Sequence, residues 1–329
     1  MSIPRSPSRR GFYFPLFVVL DAVLWFAAFT WSPPGIPAAP VLAINIWPTT
    51  ESLIVARETG LLPREKINFV EMSWSSASMR AFGNSAADVA VLSLSETILL
   101  HQLGSPFRLI LAIDRSDGAD AIIAREGLAT ISDLKGKKVG VEVRSAGHYL
   151  LSRALEDAGL TLADIELVPL NLPETETAFA ELGVDAVVTA EPWLTLSVKR
   201  SGAKVIYDST QTPGELIRVL VARESTLDES RPALKELVDA HFEYLKPDLW
   251  PTEVFGSILR REGLSAKEFN DSLSRLTQFS RNEQAALLSG SEPGLMKNIK
   301  TVMGHMKSTG LIFEGGAENI IIDDSLISP

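Results

Sequence analysis

From residue 41 onward the chain alternates between short apolar runs and segments with helical spacing. Residues 41–47 alternate apolar and small side chains, as a short buried strand does. Pro48, Thr49 and Thr50 then lead into a helical pattern through Leu53, Val55 and Ala56 that stops at Gly60. Strands are predicted at 66–72, 88–92, 107–113 and 119–124, the first two each followed by a serine-containing turn and a helix. Val139, Val141 and Val143 then mark a strand, 144–147 a tight turn, and Tyr149, Leu150, Leu151 and Leu155 a helix. Further strands are predicted at 165–170, 184–189, 204–207 and 216–222, with helices at 174–182 and from Trp193 to Arg200 between them. From residue 231 the pattern is helical, over 231–245, 251–263, 266–276, Arg281–Leu288 and Gly294–Ser308. Strand, polar turn and helix in repeated succession predict parallel sheets covered by helices. In such sheets a ligand sits beyond the strand carboxyl ends, against free N–H groups at helix starts.

Ahead of this body, Arg5, Arg9 and Arg10 precede an apolar run over 12–31 that only Asp21 interrupts. A positive end before an apolar run is an export signal or a membrane anchor, and this run has the length of a bilayer span. Ser8-Arg9-Arg10-Gly11-Phe12 is similar to a twin-arginine export signal. Residues 33–40 form a Pro/Ala/Gly linker, so 1–40 is expected to be signal or anchor plus linker. The body is then exported to the periplasm, with membrane contact through the N-terminal segment.

Composition narrows the function. The 329 residues are 46% hydrophobic, enough to bury the cores of two lobes. A net charge of −10 argues against a nucleic-acid partner. The absence of cysteine removes disulfides, thiolate metal sites and thiol nucleophiles. His101, His148, His241 and His305 are scattered without metal-ligand spacing. No G-x-S-x-G elbow, Walker A loop or strand-borne G-x-G-x-x-G occurs, so no catalytic residue, metal or cofactor is expected.

The candidate chemistry lies in the turns. Trp47, Trp74, Ser93, Asp114, Arg144, Ser145, Gly147, His148, Glu191 and Trp193 follow strand carboxyl ends, and Glu51 sits in a first helical turn. Each has a bland alternative: tryptophans as core, Glu51 as a helix-start carboxylate, Asp114 as a turn former, Ser145 as a cap. Together, the aromatic faces and carboxylates favour an amino-bearing group. Arg144 and the backbone from Ser145 to Gly147 favour an anionic one. The expected ligand is a small zwitterion or amino-substituted heterocycle, such as an aminosulfonate or aminopyrimidine.

Four segments carry a resemblance: DLKGKKVG at 133–140, GVDAVVTAEPW at 183–193, SGAKVIYDS at 201–209 and STGLI at 308–312. Over 41–312 the chain resembles the substrate-binding proteins of nitrate, sulfonate and taurine ABC importers, with their thiamine-pyrimidine-binding relatives. Where many relatives have a glycine before the turn serine, this chain has Arg144. The resemblance implies an α/β, bilobed periplasmic binding protein type II fold, with two α/β lobes joined by two crossovers. Lobe I would take 41–125 and 219–329, with the C-terminal helices packed on it, and lobe II 126–218. It also implies a monomer that captures a small nitrogen- or sulfonate-bearing solute in the inter-lobe cleft, without chemistry. The solute would pass to an ABC permease and its ATPase. Two alternatives stand beside this: a membrane-anchored sensing module, and an enzyme of thiamine-pyrimidine metabolism. The resemblance ties the enzyme to a cysteine-rich motif that this chain lacks.

Overall fold

The computed structural model describes residues 39–313 and 319–327. The apolar run at 12–31 lies outside them, and among the described residues no helix is long and apolar enough to cross a membrane.

The chain first lays down β1 (Val41–Asn45), β2 (Asn68–Met72), β3 (Val89–Ser93) and β4 (Arg108–Ser116). They are linked by α1 (Glu51–Glu58), α2 (Ser75–Gly83) and α3 (Leu94–Gln102). It then crosses to a second sheet: β5 (Asp120–Ala124), β6 (Lys138–Val141), β7 (Glu166–Pro169), β8 (Ala186–Ala190) and β9 (Lys204–Asp208). Here α4 (Ala146–Asp157), the short α5 (Ala178–Glu181) and α6 (Trp193–Ser201) intervene. β10 (Ile217–Ala222) returns to the first sheet, followed by α7 (Glu224–Glu243), α8 (Thr252–Glu262), α9 (Ala266–Leu273), β11 (Leu276–Gln278), α10 (Arg281–Leu288), α11 (Gly294–Ser308) and β12 (Ile321–Ile322).

Both sheets are mixed, where the strand–turn–helix rhythm predicted parallel ones. The first runs β11-β4-β10-β3-β1-β2, with β12 on β4, and the second β7-β6-β8-β5-β9. β1 is parallel to β2 and β3, while β10 is antiparallel to both β3 and β4. β6 is parallel to β7 and β8, while β5 is antiparallel to both β8 and β9. Apart from the short edge strand β11, the antiparallel strand of each sheet is thus the one by which the chain crosses over. It enters from the end where its neighbours finish, so it must run the other way. Because β5 pairs only within the second sheet, its residues 120–124 lie there and not with 41–116, where the expected lobe boundary had put them. Ile217 and Arg218 likewise belong to the first sheet.

The central strands are buried on both faces, as sheets covered by helices require, while the edge strands β2, β7 and β9 are partly exposed. Every residue of β3, β5 and β8 is buried. The C-terminal elements cover the first sheet: α10 packs on β4, α11 on α3, and α7 and α8 on α1. The helix predicted through 276 stops at Leu273, because Leu276–Gln278 pairs with β4 as β11. Val143 is exposed beyond the end of β6.

Candidate functional site

Where the carboxyl ends of β1, β3, β6 and β8 meet the amino ends of β5 and β10, a cavity of about 20 Å³ remains, room for about one water molecule. The first sheet contributes Asn45, Trp47, Ser75 and Ser93, with Arg218 from β10. The second contributes Asp120 from β5, Glu142, the 145–147 turn, Leu172, Thr189 and Ala190.

The cavity is organised around Arg218. In the sheet this residue stands between Ser93 of β3 and Asp114 of β4. Its guanidinium is 3.3 Å from the Asp120 carboxylate and 3.8 Å from that of Asp114. It also lies 3.1 Å from the centroid of the Trp47 ring, an aromatic–cation contact in a desolvated place. Asp114 fixes that ring, accepting a hydrogen bond from Trp47 Nε1 at 2.9 Å and another from the Thr49 hydroxyl. Burial pushes the Asp114 carboxyl up from its ordinary range, and Arg218 opposes the shift.

Three helices begin at the cavity, each capped differently. Ser93 and Glu96 form a reciprocal capping box on α3, Ser93 Oγ accepting from Glu96 N at 3.2 Å and Glu96 Oε2 from Ser93 N at 2.8 Å. Ser145 Oγ caps α4, accepting from Gly147 N at 3.1 Å and His148 N at 3.3 Å. α2 follows Trp74, which has no capping oxygen. Its Ser76 N–H donates instead to Glu142 Oε1 of the opposite sheet, at 2.7 Å. Glu142 is 2% exposed, its Oε2 has no hydrogen-bond partner, and burial pushes its pKa up to about 7.

Of the eleven residues singled out in the sequence, Trp47, Ser93, Ser145 and Gly147 line this cavity. Gly147 is also closely packed, since a Cβ there would lie 3.2 Å from Val188 Cγ1. Trp74 and Trp193 do not line it, but join Trp47 in one apolar cluster with Leu172, Ala190 and Leu276. Asp114 stands behind Trp47 and Arg218. Glu51 turns to Arg261 of α8 at 2.9 Å, and burial beside Glu71 raises its pKa to about 7 against the pull of Arg261. Glu191 turns to Arg275 at 2.6 Å and also accepts from Thr195 Oγ1 at 3.0 Å. Arg144 and His148 line a separate groove of about 240 Å³ with Leu99, Leu162 and Met306.

Asp120, Glu142 and Arg218 were missed. Asp120 and Arg218 lie at the starts of strands, whereas a ligand is expected beyond strand carboxyl ends. The signal was a lone charge at the edge of an apolar run, in Asp120-Ala121-Ile122-Ile123 and in Ile217-Arg218-Val219-Leu220. Glu142 sits between Val141 and Val143, on the face of the chain opposite to theirs by period-2 alternation. Among the described residues no group of three or more histidines or carboxylates is placed to hold a metal ion.

The family model described as NMT1/THI5 like matches residues 47–243, more than half of the chain. The chain belongs to this NMT1/THI5-like family. Among curated relatives, it is 27% identical over 164 residues to an Escherichia coli protein named for binding aliphatic sulfonates. That alignment covers 48% of this chain and 51% of the relative. It is 23% identical to the taurine-binding periplasmic protein of Escherichia coli, over 75% of this chain and 82% of that one. The first relatives are thus spanned over about half of their length. Among solved structures, the alkanesulfonate-binding protein of Xanthomonas axonopodis pv. citri bound to MOPS superposes with a TM-score of 0.73 at 18% identity. The match covers 88% of this chain and all of that one. This NMT1/THI5-like chain therefore has the periplasmic binding protein fold, and its two sheets share one strand order, β2-β1-β3-β10-β4 and β7-β6-β8-β5-β9.

Proposed function

We propose that the protein is an extracytoplasmic solute-binding protein that captures a small solute between its two sheets and delivers it to an ABC permease and its ATPase. The observation that carries this reading is the inter-sheet cavity, built from buried polar groups of both sheets and from both crossover strands. Such a site encloses a ligand when the two halves close on it. A volume of about 20 Å³ is too small for an organic solute, so the halves must part for entry. The names of the relatives support binding without chemistry, with the body on the periplasmic side. Arg9 and Arg10 before the apolar run support export by a signal or anchor in 1–40.

A thermal-shift screen of sulfonates, taurine, nitrate, amines and pyrimidines on the full chain tests the proposal. A solute that binds one to one and raises Tm supports it, with the gain growing as RT ln(1 + [L]/Kd). Turnover of the solute, or no stabilisation by any class, contradicts it.

A further inference from the structure

Resting on the reading of this cavity as a solute site, we infer that the solute it takes presents N–H donors to Glu142. An ammonium, amidinium or amino-heterocycle fits; a plain sulfonate does not.

Helix starts are the usual anion sites of such folds, and here the chain has occupied them itself. The α3 start is closed by the Ser93–Glu96 box, and Gly147 and His148 of α4 donate to Ser145. The α2 start is held by a protein carboxylate, Glu142, in the position an anionic ligand would take. Glu142 is nearly fully buried and lines the cavity, and its second oxygen accepts from nothing. Once ionised, a buried carboxylate oxygen in that state calls for a donor. The guanidinium lining the cavity, Arg218, is already flanked by Asp120 and Asp114. A sulfonate would therefore meet two lining acids, Asp120 and Glu142, and an arginine already engaged by Asp120 and Asp114. A donor-bearing solute would complete Glu142.

Glu142 is faced by Ser76 and Arg80 of α2, Glu96 of α3, and the lining Asp120 and Arg218. Burial holds its pKa near 7, so a cationic solute should drive its proton off on binding. The test is isothermal titration of the full chain with acetamidinium and 4-aminopyrimidine as donor probes and ethanesulfonate as anion probe, at pH values on both sides of 7. Expected are one-to-one binding of a donor probe and acetamidinium affinity that rises with pH. Glu142→Gln should weaken that binding by about tenfold or more, and flatten the acetamidinium pH profile. The unfolding curve of Glu142→Gln shows whether the variant is folded; if it is not, the pH profile of the parent carries the test alone. Ethanesulfonate binding with no donor binding overturns this inference and leaves solute capture standing. Donor affinity independent of both pH and Glu142 also overturns it. A chain that binds none of the probes or the screened solutes overturns both readings.

Discussion

The Arg218 guanidinium lies 3.3 Å from the Asp120 carboxylate, and the two residues stand at the starts of the two strands that cross between the sheets. The pair ties the crossovers together at the mouth of both cores. The Asp120 side chain is 2% exposed and that of Arg218 11%, so neither charge is expected to tolerate loss of the other. Arg218→Met should destabilise the protein by about 3 kcal/mol or more, because Asp114 and Asp120 lose their counter-charge. Arg218→Met with Asp120→Asn should recover at least about 1 kcal/mol of this. Chemical denaturation of the single and double variants checks the coupling; additive effects would mean the pair is not linked.

Glu191 and Arg275 join the end of β8 to the segment after α9, across the two sheets, at 2.6 Å. Burial raises the Glu191 carboxyl, and Arg275 offsets this most strongly. Since the arginine side chain is 41% exposed, solvent screens part of the attraction. Arg275→Ala is expected to cost about 1–2 kcal/mol of stability and to speed solute release several-fold, read by denaturation and stopped-flow. Glu191→Gln should weaken solute binding less than Glu142→Gln does, since Glu191 faces Arg275 and not the cavity.

Arg144 has φ = +64°, a left-handed conformation that favours glycine. This explains in backbone terms why a glycine suits the position before Ser145. Arg144→Gly should be neutral or stabilising by up to about 1 kcal/mol, with solute affinity unchanged, as thermal unfolding and calorimetry will show. A loss of affinity would bring Arg144 back into the site.

Stability should depend on pH through Glu142. Its folded pKa is about 7 against an ordinary 4.5, so the folded state holds a proton that the unfolded state releases between those values. Its contribution is full below pH 4.5 and is lost as pH rises through 7. His241, lowered to about 4 by burial, acts in the opposite sense as pH falls below 6.5. The parent curve is therefore a sum, and the informative quantity is the difference between Glu142→Gln and parent. That difference should move in favour of the variant by on the order of 3 kcal/mol between pH 4.5 and 8. A pH-independent difference would show that Glu142 ionises normally.

The fold was legible because apolar runs and helical spacing are local properties. Nearly every strand and helix stands where the pattern places it, and the four tell-tale segments carried the family. Strand direction was not legible, since an apolar run such as Ile217–Ala222 reads the same parallel or antiparallel. Part of the site was legible for a local reason: Ser93 and Ser145 sit at helix starts, where small hydroxyl residues cap. Partnership was not legible. Nothing near Glu191 or Glu51 announces Arg275 or Arg261, which lie 84 and 210 residues away. Glu142 reaches a helix start 66 residues back in the chain.

The most direct test of capture between the sheets is a distance across them. The chain has no cysteine, so Glu65→Cys and Glu181→Cys place two spin labels cleanly on exposed sites, one on each side. Double electron–electron resonance is then recorded without solute and with a saturating solute verified by calorimetry. Capture by closure predicts a distance distribution that shifts and narrows when the solute binds. An identical distribution in both states, with binding confirmed, would contradict the account.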